Sequence, residues 1–192
     1  MLLSKLKYKA IVIGVSAGGL SALRVILAQL PVNYKIPVII VQHRHPESDN
    51  SFEHMLEEIC SISVKQIEDK ENIDVSTVYV APPNYHVLVE EDLSFSLSIE
   101  DKVNYARPSI DVLFESAADA ICPDLIGVIL TGANNDGSKG LKKIKEMGGI
   151  AIVQEPETAE VAAMPRAAIN LTPVDNILTL EKIGRFLVDL TN

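Results

Sequence analysis

The stretch KAIVIGVSAGG, Lys9 to Gly19, decides the fold. Its first half is a short apolar run rich in β-branched residues, and the small residues and glycines behind it permit a sharp turn. From Leu20 onward the apolar residues Leu23, Ile26, Leu27 and Leu30 recur at helical spacing. Strand, tight turn and helix therefore follow one another at the start of the chain. A second apolar run, Ile36 to Val41, comes after Pro31, and Phe52, Met55, Leu56 and Ile59 mark another amphipathic helix with acidic residues between them. Nearly unbroken apolar strands alternating with amphipathic helices predict an α/β fold. The expected form is a doubly wound, mostly parallel sheet with helices on both faces, a Rossmann-like three-layer arrangement, because crossover helices are what let parallel strands neighbour each other.

The middle of the chain breaks this rhythm. VYVAPPNYHVLVEEDLSFSLSIE offers strands near 77–80, 85–90 and 93–99, with only a short acidic turn between the last two, which predicts an antiparallel hairpin. Helical spacing returns at Ile110, Leu113, Phe114, Ala117 and Ile121. LIGVILTG at 125–132 reads as a buried strand, a helix follows from about Ser138 to Met147, and GGIAIVQ at 148–154 reads as a further parallel strand. Pro165 suits the first turn of a short helix reaching about Asn170, and Ile183, Phe186, Leu187 and Leu190 line one face of a closing helix. With no internal repeat, low-complexity tract or linker, residues 1–192 read as a single domain.

Composition narrows the class. Of 192 residues, 47% are hydrophobic and 22% charged, enough apolar sequence to build a core without disulfides and too much for intrinsic disorder. With 17 Lys+Arg against 26 Asp+Glu, the net charge of −9 and the absence of a large basic block argue against nucleic-acid binding. Cys60 and Cys122 are the two cysteines, with no metal-ligand spacing around them, so neither a disulfide framework nor a metal site is expected. No stretch reaches the roughly 18 apolar residues of a membrane span, and the start MLLSKLKYK does not read as a signal peptide. A cytoplasmic protein without membrane insertion is the expectation.

In an open parallel sheet, functional residues gather beyond the carboxyl ends of the strands. The first such loop, Gly14 to Gly19, is a G-x-S-x-G-G pattern that sets Ser16 at the mouth of a helix. Its free N–H groups suit an anionic intermediate or a phosphate. Ser16 also reads as a plain helix N-cap, and a dinucleotide site is a rival, although the Rossmann fingerprint wants glycine where Ser16 stands. The second strand ends in VQHRHP, putting His43 on the same rim if the two strands are neighbours, within reach of a nucleophile; a surface loop histidine is the plainer reading, and His45 the bystander. The strand at 125–132 opens into Gly132-Ala133-Asn134-Asn135-Asp136-Gly137, where Asp136 either caps a helix or orients an imidazole. The order Ser16, His43, Asp136, with the serine after the very first strand, excludes the ordinary α/β-hydrolase fold, whose serine follows several strands and precedes acid and then histidine.

These residues resemble the catalytic domain of the bacterial chemotaxis receptor methylesterases, the protein-glutamate methylesterases. The resemblance runs from Tyr8 to about Leu190. It rests on IGVSAGG at 13–19, VQHRHP at 41–46, VAPPNYH at 80–86, ARPSIDVLFESAA at 106–118, LTGANNDGSKGL at 130–141 and AAMPRAAI at 162–169, in family order. It implies Ser16 as nucleophile, His43 as general base and acid, and Asp136 as the residue that orients His43. The implied reaction is hydrolysis of glutamate γ-methyl esters on chemoreceptor signalling helices, with glutamine deamidation as a related acyl transfer and no cofactor or metal. The N–H groups of Ala17 and Gly18 and those around Ala133 are the expected oxyanion donors, and His86 matches a family histidine near the cleft or in a structural place.

Three departures accompany the match. Ala133 stands where the family usually has methionine, Arg44 adds a charge at the rim beside the histidine, and Ala163 replaces a usual glycine. The resemblance also implies an N-terminal receiver domain, which about eight residues before the first strand do not provide; a receiver lost from the chain and a separate receiver protein are the two alternatives. Arg107 reads as a polar edge of the site or a solvated side chain, and Lys139, Lys142, Lys143 and Lys145 as a steering face or a solvated one. The competing reading is a non-catalytic module that keeps the fold and binds receptor helices.

Overall fold

β1 (Ala10–Val15) is buried along its whole length, as its run of β-branched residues requires. The computed structural model, which describes residues 7–191, divides those side chains between two cores. Ile11, Ile13 and Val15 point into one, and Ala10 and Val12 into the other. That two-sided burial is the signature of a central parallel strand.

Around β1 the chain forms α1 (Gly19–Leu27), β2 (Val38–Gln42), α2 (Ser51–Glu57), β3 (Ser63–Gln66) and β4 (Thr77–Val80). Then come β5 (His86–Val89), β6 (Phe95–Ser98), α3 (Ile110–Ile121), β7 (Leu125–Ile129), α4 (Ser138–Glu146) and β8 (Ile150–Gln154). A 3-10 turn at Pro156–Thr158, α5 (Ala163–Leu171), β9 (Asn176–Leu178) and α6 (Leu180–Asp189) complete it. Seven strands pair in the order β3-β4-β2-β1-β7-β8-β9, every pair parallel. The predicted hairpin is present as β5 and β6 but stands apart as its own antiparallel two-stranded sheet, with β5 lying against α3.

One core packs α1, α2 and α6 on the sheet through Leu23, Ile26, Leu56 and Leu187; the other packs α3, α4 and α5 through Leu113, Phe114, Ile144 and Ala168. Burying each such side chain contributes about 1.5–3 kcal/mol before entropy is counted, so the two layers hold the sheet while Cys60 and Cys122 stay free thiols. Two strands escape the sequence reading. β3 and β9 are edge strands of four and three residues with largely half-exposed side chains, so neither carries an apolar run. The helix placed on Ile59 ends earlier, at Glu57, whereas Pro165 takes the third position of α5, within its first turn as expected.

What positions the site is the strand order. The chain runs outward from β1 on one side and resumes beside it at β7, so the reversal of direction falls between β1 and β7. Loops after β1, β2 and β7 converge over that crevice.

Candidate active site

Register brings the three predicted residues together. Val15 pairs with Gln42 and Gly14 with Ile129, so Ser16 and His43 are the next positions on adjacent parallel strands, which run about 4.8 Å apart. The His43 N–H donates to Val15 O at 3.2 Å and the Ser16 N–H to Thr131 O at 3.0 Å, extending both ladders one step into the loops.

The turn after β1 needs its glycines. Gly18 is the N-cap of α1 with φ +78°, and a Cβ there would lie 2.7 Å from Glu160 Oε2. Ser16 does not cap the helix, which makes no side-chain cap hydrogen bond. Its carbonyl instead accepts from Gln42 Nε2 at 2.9 Å and from the Gly19 N–H at 3.0 Å, and Thr131 Oγ1 donates to Ala17 O at 2.8 Å. Among the described residues the N–H groups of Ala17, Gly18 and Ala133 make no hydrogen bond, while that of Gly132 is taken by Val161 O. Two strand-end loops thus carry three N–H donors with no partner among the described residues.

Asp136 is fully buried and does not cap α4, whose N-cap is Gly137 at φ +91°. It sits instead at the start of α3. Oδ2 accepts from the Ile110 N–H at 2.7 Å and Oδ1 from the Asp111 N–H at 3.1 Å, the Ser109 hydroxyl at 2.8 Å and Asn104 Nδ2 at 2.8 Å. The positive end of a twelve-residue helix thus faces the carboxylate. Burial pushes its pKa up, but the hydrogen bonds from His43, Asn104, the Ile110 N–H and Ser109 outweigh that and hold the carboxyl below the ordinary carboxylate range. Asp111, bridged to Asp136 by Asn104 Nδ2, moves the other way, raised by burial and by the charge of Asp136.

His43 Nε2 lies 2.8 Å from Asp136 Oδ2, and the imidazole is 14% exposed. An ionised carboxylate only accepts, so Nε2 carries the proton and Nδ1 is the free lone pair. Nδ1 lies 3.5 Å from Asn134 Nδ2. Among the described residues no hydrogen bond joins the Ser16 hydroxyl to His43. A cleft of about 210 Å³ opens beside the imidazole, lined by His43, Arg44, Lys102, Asn104, Arg107 and Asn134 among others.

The remaining expectations divide. His86 is buried away from the cleft lining: Nε2 is 3.1 Å from Asp101 O and Nδ1 accepts from the Ser109 N–H at 3.2 Å, so it braces the residue that holds Asp136. Arg44 lines the cleft beside His43, as expected, but its charge is paired. Its side chain, 7% exposed, makes a two-pronged pair with Glu53 at 3.0 and 2.7 Å and reaches Ala81 O. Arg107 is spent on Asn84 Oδ1 and the carbonyls of Ile99 and Glu100, clamping the hairpin to the loop before α3. On α4, Lys142, Lys143 and Lys145 pair with Glu146, Asp119 and Asp175, while Lys139 is exposed and makes no ion pair among the described residues. His45 is exposed, as a bystander should be, and Ala163 opens α5 with no need of glycine.

Gln42, Asn104, Ser109, Thr131 and Asn134 are the site residues that sequence reasoning did not single out. Four of them stand within two positions of a residue it did; Asn104 lies outside the quoted motifs, has left-handed backbone at φ +50°, and reaches Asp111 and Asp136 through its side-chain amide.

Comparison with known proteins identifies the family. The family model for CheB methylesterase matches residues 11–187. A Leptospira interrogans protein is 56% identical over 185 residues, covering 96% of both chains. The Thermotoga maritima protein-glutamate methylesterase/protein-glutamine glutaminase is 36% identical over 185 residues, covering 95% of this chain and 54% of that protein, and the Salmonella typhimurium protein of the same name is 38% identical over 180 residues, covering 92% and 51%. The chain thus spans about half the length of these two relatives. The crystal structure of the Thermotoga maritima CheB methylesterase catalytic domain superposes with a TM-score of 0.92 at 35% identity, covering 95% of this chain and 98% of that one. With the family model spanning nearly the whole chain and relatives well above 30% identity across it, the chain belongs to the CheB methylesterase family.

Proposed function

We propose that this chain hydrolyses γ-methyl esters of glutamate on chemoreceptor helices, with Ser16 as nucleophile, His43 as general base and acid, and Asp136 as the orienting carboxylate. The observation that carries the reading is the 2.8 Å His43–Asp136 contact at a strand-end crevice where Ser16 occupies the adjoining register position.

In this reading Ser16 Oγ attacks the ester carbonyl while His43 Nδ1 takes the hydroxyl proton, and the oxyanion is met by the free N–H groups of Ala17, Gly18 and Ala133. Collapse breaks the carbonyl–methoxy bond. His43 returns its proton to the leaving oxygen, methanol departs, and a glutamyl ester of Ser16 remains. Water then adds with His43 again as base, freeing Ser16 and glutamate. Glutamine deamidation follows the same path with ammonia as the leaving group. The Ala133 departure is compatible with this, since what the position contributes is a backbone donor. Residues 1–192 act as one catalytic domain in the cytoplasm. Among the described residues no helix is long and apolar enough to cross a membrane.

The test is methanol release from a methylated chemoreceptor signalling fragment by the intact protein and by Ser16→Ala. Release that vanishes in the variant, by on the order of 10⁶-fold, is the expected result. No release from the folded intact protein, with binding to the fragment retained, would replace the enzyme by a receptor-binding module.

A further inference from the structure

Both ring nitrogens of His43 are tied to one short loop. Nε2 meets Asp136 Oδ2 at 2.8 Å, Nδ1 faces Asn134 Nδ2 at 3.5 Å, and the Asp136 N–H donates to Asn134 Oδ1 at 3.1 Å, which closes the ring. The direction of each link is forced. A backbone N–H can only donate, so the Asn134 oxygen must face Asp136, and the Asn134 amide nitrogen must then face the imidazole. On the other side Asp136 accepts from Ser109, Asn104 and two backbone N–H groups, which keeps it an acceptor and puts the ring proton on Nε2. A donor N–H therefore points at the one lone pair that can serve as base.

From this we infer that Asn134 is a positioning residue that keeps His43 Nδ1 unprotonated and aimed into the cleft, and that yields its place to the Ser16 hydroxyl during the reaction. The inference rests on the proposed roles of Ser16 and His43. Its length suits the task, because a 3.5 Å contact is at the weak end of hydrogen bonding and is readily displaced by a closer hydroxyl donor. Once Nδ1 has taken the serine proton, the two groups are donor facing donor, which drives that proton on to the leaving group. Asn134 thus discriminates between the two states of the base without touching the substrate.

Two substitutions separate this from a role in shaping the turn. Asn134→Asp has nearly the same shape and keeps an oxygen for the Asp136 N–H, but it presents an acceptor to Nδ1; Asn134→Ala removes both contacts. A role in the turn alone would make the Asp variant the better of the two. The donor role makes it the worse, because a second carboxylate beside the ring draws a proton onto Nδ1 and removes the base. The other charged side chains near the ring, Arg44 and Lys102, are unchanged in both.

The measurements are nitrogen-15 NMR of the His43 imidazole and the rate at which a small fluorophosphonate labels Ser16, at one neutral pH. The expected spectrum of the intact protein has Nε2 protonated and Nδ1 bare, and that of Asn134→Asp has both protonated. Labelling should fall by roughly 100-fold in Asn134→Asp and by less than about tenfold in Asn134→Ala. A proton on Nδ1 in the intact protein, or a neutral ring in Asn134→Asp, would overturn the inference whether or not Ser16 is labelled. If the ring behaves as expected while Ser16 stays unlabelled, the assignment of Asn134 stands and the serine's role falls.

Discussion

The two ends of the site are built from different materials. At the acid end Asp136 is sealed from solvent and accepts five hydrogen bonds, two from backbone at the start of α3 and three from Ser109, Asn104 and His43. At the nucleophile end Ser16 is held through its own main chain, its N–H on Thr131 O and its carbonyl on the Gln42 side chain and the Gly19 N–H, and among the described residues its hydroxyl has no partner. A charge that must exist before substrate arrives has to be solvated by the protein in advance, whereas a nucleophile must remain free to move. The acid is therefore held by its carboxylate, and the serine by its main chain.

If that contrast is real, the two ends break differently. Asp136→Asn should lower turnover by on the order of 10⁴-fold, since an amide in this place presents a donor either to His43 or to the α3 N–H groups. It should also cost about 3 kcal/mol of stability, because those N–H groups and Ser109 lose their common acceptor. Ser16→Ala, whose hydroxyl has no partner, should stay within about 0.5 kcal/mol of the intact protein in urea unfolding. Equal stability of the two variants would remove the distinction.

The nucleophile end is reached through its backbone instead. Gly18→Ala places a Cβ at φ +78° and against Glu160, so the expected result is a loss of about 1–3 kcal/mol together with a roughly 10- to 100-fold fall in kcat as the Ala17 and Gly18 N–H groups shift. The KM should move less than kcat. A change in KM alone would say that these donors meet the substrate before they meet the transition state.

The same contrast explains what was legible in the sequence. Ser16, His43 and Asp136 could be placed because each follows an apolar strand, and strand ends in a doubly wound sheet converge. The plain reading of Asp136 as a cap proved half right in an unexpected way: it serves the N-terminus of α3, some 25 residues earlier, not that of the helix it precedes. No local pattern announces a long-range cap. Arg44 illustrates the same limit, since its partner Glu53 is buried on α2 by tertiary packing and reads in the sequence as one more acidic residue on a polar face. His86 carried a family motif but braces Ser109 from behind, because β5 lies in a separate sheet against α3. The edge strands β3 and β9 were missed for want of an apolar run.

The gentlest way to probe the acid end is with pH. Asp136 is held below the usual carboxylate range, so relative to an unfolded value near 3.9 its charge stabilises the fold fully above that pH, and the contribution is lost as the pH falls through the folded value. Asp111 has the opposite sign: its raised pKa means that its ionisation costs native stability as pH rises, a cost relieved on acidification that offsets part of the loss from Asp136. The net acid sensitivity of the intact protein should therefore be modest, and the informative quantity is the stability gap between it and Asp136→Asn, which retains Asp111. That gap should narrow below about pH 4, measured by urea unfolding at each pH. A gap that stayed constant to about pH 3 would mean that the five donors do not select the ionised form, and the division between a prepaid charge and a free nucleophile would lose its energetic basis.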